Sequence, residues 1–213
     1  MRVIAIDGPA GSGKSTVAKA LAARLGLDYL DTGAMYRAVT FAALRRGIDP
    51  SESEQVARIV PDLDLQVSPT GVVVDGVDAT IEIRGPEVSR AVSIVAANPD
   101  VRAEMVRRQR AWVESRGGGV LEGRDIGTVV FPDAELKVYL TADPEVRAQR
   151  RSKEVADLDY ETVAADLARR DAFDQGREAS PLTEAPDAFV VDTTGLSVDD
   201  IIDAIAAKVA RGG

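Results

Sequence analysis

Apolar residues along this chain follow two rhythms. Val3-Ile4-Ala5-Ile6 is apolar at every position, as a strand buried on both faces of a parallel sheet would be, and it ends at Asp7-Gly8-Pro9. Val17, Ala18, Leu21, Ala22 and Leu25 then recur three and four apart, which predicts a helix stopped by Gly26. The same unit returns: Tyr29-Leu30 predicts a short strand ending at Asp31-Thr32-Gly33, and Met35, Val39, Ala42 and Ala43 mark a second helix stopped at Gly47. Further strands are expected at Val120-Leu121, at 136–140 and at Phe189-Val190-Val191, and further helices at 100–116, 144–152, 160–174 and 198–209. Alternation of this kind predicts a doubly wound α/β sheet.

Residues 63–83 break the rhythm. Leu65 and Val67 alternate with polar positions, and Thr70-Gly71, Val72-Val73-Val74 and Asp75-Gly76 follow, which is the pattern of a hairpin. A small β insertion followed by a helix at 87–97 is expected over 63–98. Gly117-Gly118-Gly119 reads as a flexible joint returning to the core.

Length and composition (213 residues, 45% hydrophobic, 4% aromatic) fit one globular domain. The chain has no histidine and no cysteine. That excludes Ser-His-Asp and Cys-His catalysis, disulfides, and zinc sites built on those ligands. A net charge of −9 opposes binding to nucleic-acid polymers and anionic membranes. Apolar runs fall short of the roughly 20 residues that span a bilayer, and Met1-Arg2 leads directly into the first strand, so the cytoplasm is the expected compartment.

Gly8-Pro9-Ala10-Gly11-Ser12-Gly13-Lys14-Ser15 matches G-x-x-x-x-G-K-[ST], a pattern expected about 0.004 times by chance at this composition. It lies between a predicted strand and a predicted helix, where backbone N–H groups can wrap a phosphate. Lys14 is expected to bridge the β- and γ-phosphates of ATP, and the Ser15 hydroxyl to ligate Mg²⁺. A GTPase would need Asn-Lys-x-Asp, which is absent, and the one D-x-x-G match, Asp192-Thr193-Thr194-Gly195, comes too late in the chain. Transport and motor ATPases would carry an apolar strand ending in Asp-Glu, which is also absent.

A small kinase needs arginines around an acceptor. Of 21 arginines, 12 lie between Arg102 and Arg177. Arg147, Arg150 and Arg151 are spaced i, i+3, i+4, and Arg170, Asp174 and Arg177 are spaced i, i+4, i+7; Arg107, Arg108 and Arg116 read as a solvated basic face. A nucleoside monophosphate arrives nearly doubly ionised near neutral pH. Transfer to it needs positioning and charge neutralisation more than a general base, which suits a chain rich in arginine and devoid of histidine.

The chain resembles bacterial cytidylate kinases over essentially its whole length. The resemblance rests on I-D-G-P-A-G-S-G-K-S-T at 6–16, D-T-G-A-M-Y-R at 31–37, E-I-R at 82–84, V-R-x-x-M-V-R-R-Q-R at 101–110, E-G-R-D-I-G-T-V-V-F-P-D-A at 122–134 and S-P-L at 180–182. It implies that ATP is held by residues 8–16 (Gly8, Pro9, Ala10, Gly11, Ser12, Gly13, Lys14, Ser15, Thr16) together with Arg147. Thr32, Arg37, Arg124 and Arg177 would hold the acceptor phosphate, Asp174 the ribose, and Ser93, Arg102 and Asp125 the base. Arg147, Arg150 and Arg151 would belong to a closing lid, and Arg170 would reach the transferring group, so that Lys14, Arg150, Arg151 and Arg170 form the catalytic set. From the residues alone, Ser93 equally fits an ordinary helical serine, Asp125 an N-cap, and Tyr36 a core residue or a pocket wall.

The implied architecture is a phosphate-loop, five-stranded parallel sheet flanked by helices. Residues 1–62 and 99–213 would form the core, 63–98 the acceptor-binding insertion and 147–166 the lid region, with 157–166 rejoining lid to core. The implied reaction, a step of pyrimidine nucleotide metabolism, moves the γ-phosphoryl group of ATP to CMP or dCMP with Mg²⁺, on a monomer. A small kinase for another acceptor and a regulatory nucleotide-binding protein without transfer activity are the alternatives.

Overall fold

The computed structural model describes residues 1–154 and 159–210. The central sheet holds β1 (Arg2–Asp7), β2 (Tyr29–Asp31), β6 (Gly118–Gly123), β7 (Leu136–Thr141) and β8 (Phe189–Asp192), all parallel, in the spatial order β2-β6-β1-β7-β8. Helices cover both faces, so β1 at the centre is apolar on both sides, whereas β7 alternates buried and half-buried positions. Val3, Ala5 and Leu121 pack beneath α2 (Thr32–Arg45) and α5 (Pro99–Arg116). Ile4, Ile6, Val120, Val138 and Leu140 pack beneath α1 (Lys14–Leu25) and α8 (Val198–Ala210).

The chain leaves β1 toward one edge of the sheet, returns through β6 beside β1, and finishes on the other edge. Carboxyl ends of neighbouring strands bracketing such a reversal form the usual ligand crevice of an open α/β sheet. Here they carry Asp7, Asp31 and Glu122.

Between α3 (Ser53–Ile59) and α5 lies the insertion. β3 (Leu65–Val67), β4 (Val72–Val74) and β5 (Val77–Asp78) make an antiparallel sheet, followed by a 3-10 turn at Glu82–Arg84 and α4 (Pro86–Ala97). Asp75 and Gly76 both take positive φ, as a two-residue turn between β4 and β5 requires. Val72, Val74, Ile83, Val92 and Val95 bury against α2, which ties the insertion to the core.

Three regions differ from expectation, the first being α3, where the sequence predicted no element. The 117–119 segment is no flexible joint: Gly117 is the left-handed cap of α5, and Gly118 and Gly119 are buried inside β6. A Cβ on Gly119 would stand 2.6 Å from the Trp112 ring, so this glycine permits close helix–strand packing. A π-helical turn at Ile126–Val130 follows β6 where no element was predicted. The remaining helices, α6 (Pro144–Glu154) and α7 (Tyr160–Gly176), flank residues 155–158, so that part of the expected 147–166 lid and of its 157–166 return lies outside the described residues. No helix among the described residues is long and apolar enough to cross a membrane.

Candidate active site

The loop between β1 and α1 closes over the strand ends because two glycines let it. Gly8 has φ +146°, and a Cβ there would lie 2.1 Å from the Leu140 carbonyl oxygen of β7. Gly8→Ala is therefore expected to cost about 3 kcal/mol of stability or more, read from denaturant unfolding, because backbone must move to admit one methyl group. A loss under about 1 kcal/mol would show that the loop relaxes freely. Gly13, at φ +89°, delivers the chain into α1.

Lys14 opens α1 and is buried, its Nζ donating to the Pro9 carbonyl at 2.6 Å. Beside it the Ser15 hydroxyl donates to Glu122 at 2.9 Å, and the Tyr29 hydroxyl donates to the other oxygen of the same carboxylate. Glu122 lines the cleft and was not singled out by sequence reasoning. It lies 107 positions from Ser15 and reaches it because β6 pairs with β1, placing Glu122 opposite Ile6. The signal was present as a carboxylate closing an apolar strand, but the Asp-Glu form expected of a motor ATPase concealed it.

A cleft of about 520 Å³ runs outward from this loop. Ala10, Gly11, Gly13, Lys14, Ser15 and Thr16 line it, as do Thr32, Arg37 and Ser93 across from them. Arg124, Asp125, Arg151, Arg170, Asp174 and Arg177 complete the predicted set on its walls. Tyr36 is both core and wall, buried yet facing the cleft.

Other predicted residues stand behind the cleft surface. Arg102 is 4% exposed and pairs with Asp125 while donating to the Ala96 carbonyl at 3.0 Å. Arg147 pairs with Asp171 and donates to the Ala10 carbonyl of the loop at 3.1 Å. Arg150 donates to both the hydroxyl and the carbonyl of Thr193 at 2.8 Å. Of the three arginines on α6, Arg151 is the one lining the cleft. Gly8, Pro9 and Ser12 are buried in the loop and do not line the cleft.

Cations dominate what remains. Arg124 meets Asp174 at 3.0 Å, with Arg170 3.8 Å from the same carboxylate. Arg37 donates to the Ile83 carbonyl and the Ser89 hydroxyl, both at 2.9 Å. Arg170 Nε and Arg177 Nη2 are buried with no hydrogen-bond acceptor among the described residues. Burial, then the charges of Arg170, Arg151 and Arg84, hold Arg37 below the ordinary guanidinium range; burial and Arg124 do the same to Arg170. Burial and Arg124 likewise push Lys14 down, while burial and Asp31 push Glu122 up. Unsatisfied donors and crowded cations in one concavity make a site for a multiply charged anion.

A family model described as cytidylate kinase matches residues 4–211. The chain is 48% identical to a cytidylate kinase of Pelotomaculum thermopropionicum, with 98% of this chain and 96% of that one covered. It is 47% identical to a cytidylate kinase of Bacillus subtilis at the same coverage. Among solved structures it resembles a gluconokinase from Sinorhizobium meliloti (TM-score 0.54, 15% identity, covering 99% of this chain and 92% of that one), a likeness of fold.

Proposed function

The chain belongs to the cytidylate kinase family, and from that premise we propose how its cleft moves the γ-phosphoryl group of ATP onto CMP or dCMP, releasing ADP and CDP or dCDP. The observation that carries the reading is one cleft with a phosphate loop along one wall and, on the other, Asp125 backed by its buried partner Arg102.

ATP lies along residues 8–16, its phosphates taking backbone N–H groups at the start of α1 and the ammonium of Lys14. The acceptor lies against α2 and the insertion. Thr32, Arg37, Arg124 and Arg177 hold its phosphate, Asp174 its ribose, and Ser93 and Asp125 face its base. Arg102 works through Asp125, fixing the carboxylate that the base meets.

Transfer needs little covalent help. An oxygen of the acceptor phosphate attacks the γ-phosphorus, the bond from that phosphorus to the β–γ bridging oxygen breaks, and the electron pair leaves with ADP. An ionised phosphate loses no proton in the step, so no general base is required, and the chain offers no histidine to act as one. Lys14, Arg151 and Arg170 neutralise the oxygens as charge shifts between donor and acceptor.

The Ser15 hydroxyl and the Glu122 carboxylate put hard oxygen donors side by side at the phosphate end, which fits Mg²⁺. Ser15 would hold the ion directly with Glu122 behind it, and the bound ion would supply further charge neutralisation at the triphosphate.

ADP release measured with CMP, dCMP, UMP, AMP and GMP tests the reading. Turnover is expected with CMP or dCMP, at rates far above those with the purine nucleotides. Equal or faster turnover with AMP or GMP would overturn the base assignment, and ADP release without any monophosphate would indicate hydrolysis.

A further inference from the structure

Asp125 occupies the N-cap position of the π-helical turn at Ile126–Val130, yet its side chain makes no capping bond. An aspartate there would ordinarily turn its carboxylate onto the N–H groups that follow. The first two of those N–H groups are already taken. The Asp7 carboxylate, reaching from the end of β1, accepts from Ile126 N–H at 2.9 Å through one oxygen and from Gly127 N–H at 2.8 Å through the other. Asp7 lies 119 and 120 positions away in the chain and is 6% exposed.

We propose that Asp7 is a positioning residue for acceptor-base selection: it caps the 126–130 turn in place of Asp125 and so leaves the Asp125 carboxylate to Arg102 and the nucleobase. The inference rests on the reading of Asp125 as the base reader. A carboxylate buried this deeply is costly unless its lone pairs are used, and here both oxygens are used on the two peptide groups directly after Asp125. Burial still lifts the Asp7 pKa to about 6 despite those two bonds, and the nearby Asp125 charge adds to the shift. The two carboxylates repel, which further keeps Asp125 turned toward Arg102. Asp7 also precedes Gly8 directly, so the residue that fixes the base reader begins the phosphate loop as well.

Asp7→Asn keeps the shape but supplies one acceptor where two are needed, and it removes the repulsion. The Gly127 or Ile126 N–H then lacks an acceptor, and Asp125, at the N-cap position of the same turn, is drawn off the base toward it. The test is a cycle of four proteins (wild type, Asp7→Asn, Asp125→Asn and the double variant), each assayed for kcat/KM with CMP and with UMP and for KM of ATP.

Asp7→Asn is expected to lower the CMP-to-UMP ratio roughly tenfold, the scale of one buried hydrogen bond lost, with KM for ATP changed less than about twofold. In the Asp125→Asn background the second substitution is expected to leave the ratio where it stands. A merely structural Asp7 would lower kcat/KM for both acceptors alike in both backgrounds, and that result overturns the proposal. A ratio untouched by Asp125→Asn removes the base reading and this inference with it; a ratio that collapses there but survives Asp7→Asn removes this inference alone. Should Asp7→Asn not accumulate as folded protein, Asp7→Ser, smaller and able to accept one N–H, must show the same pattern.

Discussion

Lys14→Met is expected to lower kcat by roughly a thousandfold while leaving the unliganded protein as stable as before, or more so. The two halves of that outcome have one cause. Lys14 is buried among Arg124 and Arg170 before any phosphate arrives, and burial and those guanidiniums hold its pKa below the usual lysine value. Methionine fills the same volume without the charge, so the empty site loses a repulsive cation and a single bond to the Pro9 carbonyl. With ATP bound the balance reverses, because the cation is then what opposes charge on the transferring group. The pH dependence follows. Between the lowered folded value and the ordinary 10.5, the unfolded chain binds a proton that the folded chain does not, so Lys14 makes wild-type stability rise with pH across that window. The variant should lose that rise. Thermal unfolding without nucleotide at several pH values, beside a coupled assay of ADP formation, measures both effects; a kcat within about tenfold of wild type would remove Lys14 from the transfer step.

What the sequence revealed about this site depended on how far apart the cooperating residues stand. Residues 8–16 act as one short segment whose spacing is its chemistry, and they were legible at once. The Glu122–Ser15 bond exists only because β6 pairs with β1, and the Asp7 cap only because β1 ends beneath the 126–130 turn; neither pairing leaves a local pattern. The arginines of α6 were legible only as a group. Helical spacing put Arg147, Arg150 and Arg151 on one face, but successive residues point about 100° apart, so Arg150 and Arg151 diverge. Arg150 turns to Thr193, Arg151 to the cleft, and Arg147 to Asp171 and the loop carbonyl of Ala10. The glycines at 117–119 misled because a glycine run usually marks freedom, whereas Trp112 uses the missing side chain at Gly119 as packing space. For the fold, strand runs and helix stops were legible because parallel strands buried on both faces leave continuous apolar runs; the π-helical turn was not, since its N-terminal N–H groups are satisfied by a residue from another strand.

Asp125→Asn is expected to do more than weaken the acceptor site: it should turn the preference from CMP toward UMP. Asp125 is 4% exposed and its carboxylate is committed on one side to Arg102, which offers only donors. An asparagine in that place must give its carbonyl oxygen to Arg102, since the reverse orientation would set donor against donor inside a buried pocket. Its NH₂ group is thereby left facing the cleft. Cytosine presents an amino donor at the position where uracil presents a carbonyl acceptor. The native carboxylate pairs with the first and repels the second; the amide, held in one orientation by Arg102, does the opposite. Loss of kcat/KM for CMP is expected at roughly a hundredfold or more, because a buried donor left against a donor is the kind of mismatch that gives strong rejection. UMP should lose little or gain, and KM for ATP should stay near wild type. Because the amide still accepts from Arg102, the buried guanidinium keeps a partner, so the variant should fold and its unfolding midpoint should fall far less than that of Asp125→Ala. Steady-state kinetics with the two acceptors decides the matter: a parallel loss for CMP and UMP would make Asp125 a support of the turn that follows it rather than the reader of the base.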